Sequence, residues 1–121
     1  MPTYVTLLRW TQQGISQIKE SPARLDAFKQ LLKSVGGELK GFYMVTGQYD
    51  LVISFEAPSD EAVAKLLLTV ASKGGARTET LRAFTEDEYR RIVASLPEPG
   101  GNVGLGAAGT EPTPPEAVIR S

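Results

Sequence analysis

Hydrophobic and polar positions along this chain switch repeatedly between a two-residue and a three-to-four-residue period. Residues 4–10, from Tyr4 to Trp10, are rich in β-branched and aromatic side chains and predict a first strand. Thr11 to Gly14 turn the chain, and Ile15 to Ile18 fit a short helical turn. Ser21-Pro22 is a helix-start signal, with serine as the expected cap and proline at the first helical position. Leu25, Phe28, Leu32 and Val35 then follow at helical spacing, and Gly36-Gly37 ends the stripe. A second strand is predicted over residues 38–45 and a third over residues 51–55. Between them lies Gly47-Gln48-Tyr49-Asp50, where Gly47 accepts a positive φ and Asp50 is expected to cap the turn. Ser59 or Asp60 opens a second helix, whose buried face is Val63, Leu66, Leu67, Val70 and Ala71. Lys73-Gly74-Gly75 stops it, and residues 77–84 predict a fourth strand. Thr85-Glu86-Asp87-Glu88 reads as a capping box for a short third helix carrying Tyr89, Ile92, Val93 and Leu96.

Strand–helix–strand taken twice predicts an α+β, ferredoxin-like βαββαβ fold. It has an antiparallel four-stranded sheet, both main helices on one face, and an extra short C-terminal helix. Residues 1–97 are expected to form the domain. Residues 98–121, dominated by glycine, proline and alanine, are expected to be a flexible tail.

If the second face of such a sheet met water, each strand would alternate cleanly between apolar and polar residues. Instead Tyr4, Leu8 and Trp10 share one side of the first strand while Val5 and Leu7 share the other. In the second strand, Phe42 and Met44 are expected to oppose Leu39, Tyr43 and Val45. Large apolar groups on both sides predict that both faces are covered, the second by another copy of the same sheet. The expected state is a homo-oligomer, either a dimer or an assembly of dimers.

Composition removes several chemistries. Among 121 residues there is neither cysteine nor histidine. Disulfides, zinc–thiolate sites and cysteine nucleophiles are therefore excluded, as are serine–histidine mechanisms. No metal and no cofactor is expected. Thirteen basic and fourteen acidic residues leave a net charge of −1, which provides no general attraction to nucleic acid or anionic lipid. No stretch approaches the ~20 apolar residues of a membrane span, and no leader-like segment opens the chain, so a cytoplasmic location is expected.

Two stretches resemble the GYD-domain family of small bacterial proteins. One is Gly47-Gln48-Tyr49-Asp50 with the hydrophobic strand after it and the acidic residues 56–61. The other spans residues 72–85, Ser-Lys-Gly-Gly-Ala-Arg-Thr-Glu-Thr-Leu-Arg-Ala-Phe-Thr. The resemblance covers about residues 3–96. It implies membership of the dimeric α/β-barrel group, which includes cofactor-free monooxygenases, lactone isomerases, haem-binding enzymes and the ligand-sensing domains of Lrp-type regulators. The sensing domains are similar in carrying a glycine-x-tyrosine-aspartate hairpin before the third strand. The resemblance carries over no catalytic residues.

Six residues are candidate ligand contacts: Trp10, Tyr43, Tyr49, Asp50, Thr80 and Arg82. Trp10 can stack on a flat ligand, or simply pack. Tyr49 and Asp50 can line a pocket at a subunit interface, or serve the turn alone. Arg82, alternating onto the side of Thr78 and Thr80, can hold a carboxylate bidentately, or take part in an ion pair. A small metabolite bound at or near a subunit interface is the first functional reading. A cofactor-free oxygenase or isomerase acting on an aromatic or quinone-like substrate is the second. Its apolar walls would be Trp10, Phe42 and Tyr43, its base Asp50 or Glu56, and its hydrogen-bond donor Tyr43 or Tyr49. A purely structural assembly module is the third.

Overall fold

The computed structural model describes residues 1–98. The elements are β1 (Thr3–Trp10), α1 (Gln12–Ser16), a 3₁₀ turn (Ile18–Glu20), α2 (Ser21–Ser34), β2 (Glu38–Met44), β3 (Leu51–Glu56), α3 (Asp60–Ser72), β4 (Ala76–Ala83) and α4 (Glu86–Ala94). They belong to two compact units, Met1–Thr85 and a second beginning at Glu86. Of the expected tail, all but Glu98 lies outside the described residues. Among the described residues no helix is long and apolar enough to cross a membrane.

The first unit is a ferredoxin-like α+β fold. Its sheet has the order β2-β3-β1-β4, with every neighbouring pair antiparallel. The core lies on one face, where Tyr4, Ile53 and Phe55 meet Leu32 of α2 and Val63 and Leu66 of α3. Phe28, Leu31, Val35, Leu39, Phe42 and Leu67 pack around them. Ser59 caps α3, its side chain accepting the Ala62 N–H at 3.1 Å, and Asp60 and Glu61 favour the positive end of that helix.

Two local expectations are corrected. Ser21 does not cap α2; it is the first helical residue, in right-handed helical conformation. The 3₁₀ turn feeds straight into α2, so no extended residue precedes Pro22 to act as a cap. Leu39 does not share a side with Tyr43. The β2–β3 register shifts between Leu39 and Gly41, pairing Leu39 with Phe55 and Phe42 with Ile53, so both face the core. The unpaired Lys40 is a bulge, which reverses the alternation on one side of itself.

The sheet and the first helical turn are held together where two glycines meet. Gly74, at φ 77°, ends α3, and the Gly75 carbonyl accepts from Thr11 N–H at 3.2 Å. A Cβ on Gly14 would lie 1.9 Å from that carbonyl oxygen. Lys73-Gly74-Gly75 is therefore a helix stop with a packing role. Gly14→Ala is expected to destabilise the protein by about 1–3 kcal/mol, because backbone must move to admit the methyl group. Urea denaturation of the two proteins measures it.

Candidate functional site

Gly47-Gln48-Tyr49-Asp50 is built from the backbone outward. Gly47 has φ 110°, and a Cβ there would meet nothing within 4 Å, so glycine serves conformation and not space. The Val45 N–H donates to the Asp50 carbonyl at 2.9 Å, closing the turn, and the Asp50 N–H donates to the Leu8 carbonyl at 2.8 Å. The Asp50 carboxylate does not cap its own turn. It accepts the Trp10 N–H at 2.9 Å, so the hairpin is pinned to the end of β1, the strand laid beside it.

Tyr49 reaches past β1 towards β4. Its hydroxyl donates to Glu79 Oε1 at 2.8 Å, and the Arg9 guanidinium lies 5.0 Å from its ring centroid. The hydrogen bond to Glu79 raises the Tyr49 pKa above its ordinary value, since losing the proton would leave two anions in contact. In an antiparallel sheet directly opposed residues share a face. Leu7 opposes Glu79 and Arg9 opposes Arg77, so this cluster lies on the face opposite the core.

The six predicted residues divide between the two faces. Tyr43 opposes Val52, so it shares the second face with the Tyr49 cluster, and it is 65% exposed. Trp10 opposes Ala76 on the core side, at the end of β1. Thr80 is also on the core side, its hydroxyl 2.7 Å from that of Thr6. Arg82 is on the core side near the sheet edge. Its guanidinium lies 4.5 Å from the Phe84 ring centroid and 5.8 Å from that of Tyr4, and it donates to the Thr3 and Ala83 carbonyls. Asp50 follows the Leu8–Leu51 pair in register with Arg9, its carboxylate held by the Trp10 N–H. A single chain thus brings Tyr49 towards the Tyr43 side and keeps Thr80 and Arg82 on the other.

Alternation onward from Leu7 is the signal that places Arg9 with Tyr49. Its opposition to Arg77 follows only from the register of strands far apart in sequence. Depressions of about 280 Å³, at the end of α2 and the start of α3, and about 250 Å³, beside Lys29, Lys33, Glu38 and Leu39, include none of the six. Among the described residues no group of three or more Asp or Glu is placed to hold a metal.

A second tyrosine ties β1 to α3. The buried Tyr4 hydroxyl donates to Asp60 Oδ1 at 2.5 Å, and this bond, helped by burial, raises its pKa above 10.0. Below pH 10 the phenol is protonated both folded and unfolded, and the contribution is complete. As pH rises further the unfolded chain ionises first, so stability falls through the folded-state pKa. Tyr4→Phe is expected to lack this alkaline decline, seen as a smaller loss of melting temperature between pH 9 and 11 than in the parent. Asp50→Ala leaves the Trp10 N–H without its acceptor and is expected to cost about 1–3 kcal/mol, against about 1 kcal/mol or less for the half-exposed Tyr49→Phe. Chemical denaturation of both variants checks the ranking.

Comparison with known proteins agrees with this architecture. The chain is 34% identical over 85 residues to the glutamine synthetase and cystathionine beta-lyase binding protein of Thermus thermophilus, covering 69% of this chain and 90% of that protein. A crystal structure of a Thermus thermophilus protein is 28% identical, covers 70% of this chain and 95% of its own, and superposes with a TM-score of 0.46. The feast or famine regulatory protein of M. tuberculosis, complexed with L-methionine, is 22% identical with a TM-score of 0.52, the match spanning 72% of this chain and 54% of that one. It is a likeness of fold. The GYD domain model matches residues 4–93, three-quarters of the sequence, with the Gly47–Asp50 turn inside it, and this chain belongs to the GYD domain family.

Proposed function

We propose that this chain is a non-catalytic binding domain that pairs with a second copy through the second face of its sheet and holds a small metabolite at or beside that interface. One observation carries the reading. The second face presents Val5, Leu7, Val52, Tyr43 and Leu81, and the two main helices of the same unit, α2 and α3, pack on the other side. Val5, Leu7 and Val52 are only half-buried and Leu81 is 45% exposed. Completing the burial of each such side chain contributes about 1 kcal/mol, and a contiguous set of them favours association.

Binding is favoured over catalysis by what the candidate bases do. The Asp50 carboxylate holds the backbone of Trp10, and Glu56 lies 4.0 Å from the Lys40 ammonium. The Tyr4 and Tyr49 phenols, both raised in pKa, keep their protons at neutral pH and serve as hydrogen-bond donors. The relative from Thermus thermophilus is named for binding two enzymes, which supports a second reading in which the partner of the assembled domain is a protein.

Sedimentation velocity tests the assembly. The parent is expected to sediment as a dimer or larger at micromolar concentration, and Val5→Lys combined with Leu81→Lys as a folded monomer. A parent that stays monomeric overturns the proposal. Native mass spectrometry of the same sample, purified without added ligand, reads any retained metabolite.

A further inference from the structure

The sheet has two edges, and they are built differently. Among the described residues β2 and β4 each have a strand neighbour on one side only, β3 and β1 respectively. The β2 edge is broken by the bulge at Lys40, and a bulge twists an edge out of line for further pairing. The β4 edge is unbroken. All eight of its residues, Ala76 to Ala83, pair with β1 in one register, and it contains neither proline nor glycine. Thr78 and Thr80 favour the extended state. A long, regular edge presents a row of backbone N–H and C=O groups that template another strand. Leu81 adds an apolar side chain to it, 45% exposed, with Val5 of β1 opposite on its inner side and no described strand on its outer side.

The chain carries one further segment of strand composition, Glu116-Ala117-Val118-Ile119-Arg120, which lies outside the described residues. Val118 and Ile119 are β-branched, and Pro114-Pro115, which cannot donate to a ladder, mark where pairing would begin. Antiparallel pairing is the more stable per residue. Laid antiparallel beside β4, the segment has a register that opposes Arg120 to Glu79, Ile119 to Thr80 and Val118 to Leu81. Each of these pairs is favourable across a sheet. One residue either way sets Val118 opposite Arg82 or Ile119 opposite Glu79, and two residues towards the start of β4 set Arg120 opposite Arg77. The sequence of the segment thus matches the edge in one register better than in its neighbours.

We propose that the outer edge of β4 takes residues 116–120 of its own chain as an antiparallel fifth strand in that register. Chain length argues for this occupant. Residues 99–115 join the segment to the described part of the chain. Extended, a stretch of that length reaches roughly 58 Å, against ~14 Å for a helix the length of α4 and ~27 Å for a strand the length of β4. The segment therefore returns to the edge whichever way α4 points. Closing a long loop costs little more than closing one half its length. The tether holds the segment at an effective concentration on the order of millimolar, which separate chains at micromolar concentration do not match. In place, Arg120 gives the Glu79 carboxylate a partner beside the Tyr49 hydroxyl, and Val118 covers the outer flank of Leu81. The edge is distinct from the second face, so the proposal does not rest on the pairing of two copies.

Amide hydrogen exchange on the full chain tests this, with Val118→Pro as the reference. Proline there removes a donor and blocks the ladder without altering any residue of the described fold. The amides of Ala117, Ile119 and Arg120, and alternate amides of β4, are expected to exchange at least about tenfold more slowly in the parent than in the variant. A parent in which those three amides exchange as fast as in a short free peptide overturns the proposal. So does a β4 edge protected equally in parent and variant, which assigns the edge to another occupant. The chain has no cysteine, so engineered pairs read the register. On mild oxidation, Leu81→Cys with Val118→Cys is expected to close within one chain at least about tenfold faster than Leu81→Cys with Val103→Cys, a position in the tether. Equal rates overturn the register. A mixture of the two single variants, Leu81→Cys and Val118→Cys, that links as readily as the double variant overturns the assignment to the same chain.

Discussion

Phe55 is the side chain on which the first unit depends. It is fully buried on β3, stacks on Tyr4 of β1 with ring centroids 5.7 Å apart, and takes the edge of Phe28 from α2 at 6.2 Å. Leu32 of α2 and Leu66 of α3, also fully buried, belong to the same cluster. One aromatic ring therefore couples the two central strands to both main helices. A core this small has few such residues, and its burial fraction leaves little margin. Polar contacts then pin the periphery. Tyr4 bonds Asp60 at the head of α3, and Asp50 bonds the backbone at the end of β1, so each connection is held to a strand already in the core.

That economy leaves one face of the sheet unused by its own unit. Both main helices of Met1–Thr85, α2 and α3, lie with the core, and the other face keeps an apolar band bounded by two like-charge pairs, Glu38–Glu56 and Arg9–Arg77. Within an isolated chain both features are costs: half-exposed hydrocarbon and partly compensated repulsion. The GYD turn belongs to the same face, since Tyr49 turns its ring towards Arg9 and its hydroxyl towards Glu79 there while Asp50 anchors the loop from the other direction.

Alternation and helical spacing made most of the fold legible. The order of elements, the helix stripe from Leu25 to Val35 and the cap at Ser59 are local properties, read from neighbours three or four residues away. The candidate site was legible in part. Thr80 and Arg82 share one side of β4, as alternation within that strand requires, but Tyr49 lies in the turn, outside any strand period, and only its hydrogen bond to Glu79 puts it on the other side. Leu39 lies on the other side from that expected because a bulge at Lys40 shifts the register by one, and the neighbouring Gly41, a glycine inside a strand, is the residue-type signal for it. Ser21 was misread because the residues before it already turn as a 3₁₀ helix.

By itself the sequence determined the periods, the stops and the chemistry excluded by the lack of histidine and cysteine, because each depends on residue type or near neighbours. Only the tertiary structure decided which strands lie side by side. Arg9 meets Arg77 across 68 positions of chain, and Tyr49 meets Glu79 across 30. Those meetings follow from the β2-β3-β1-β4 order and from registers fixed by the whole core packing at once. No local pattern encodes such pairing, because the hydrogen bonds that make it are backbone bonds available to every residue. The like-charge pairs and the reach of the GYD turn exist only after the sheet has formed.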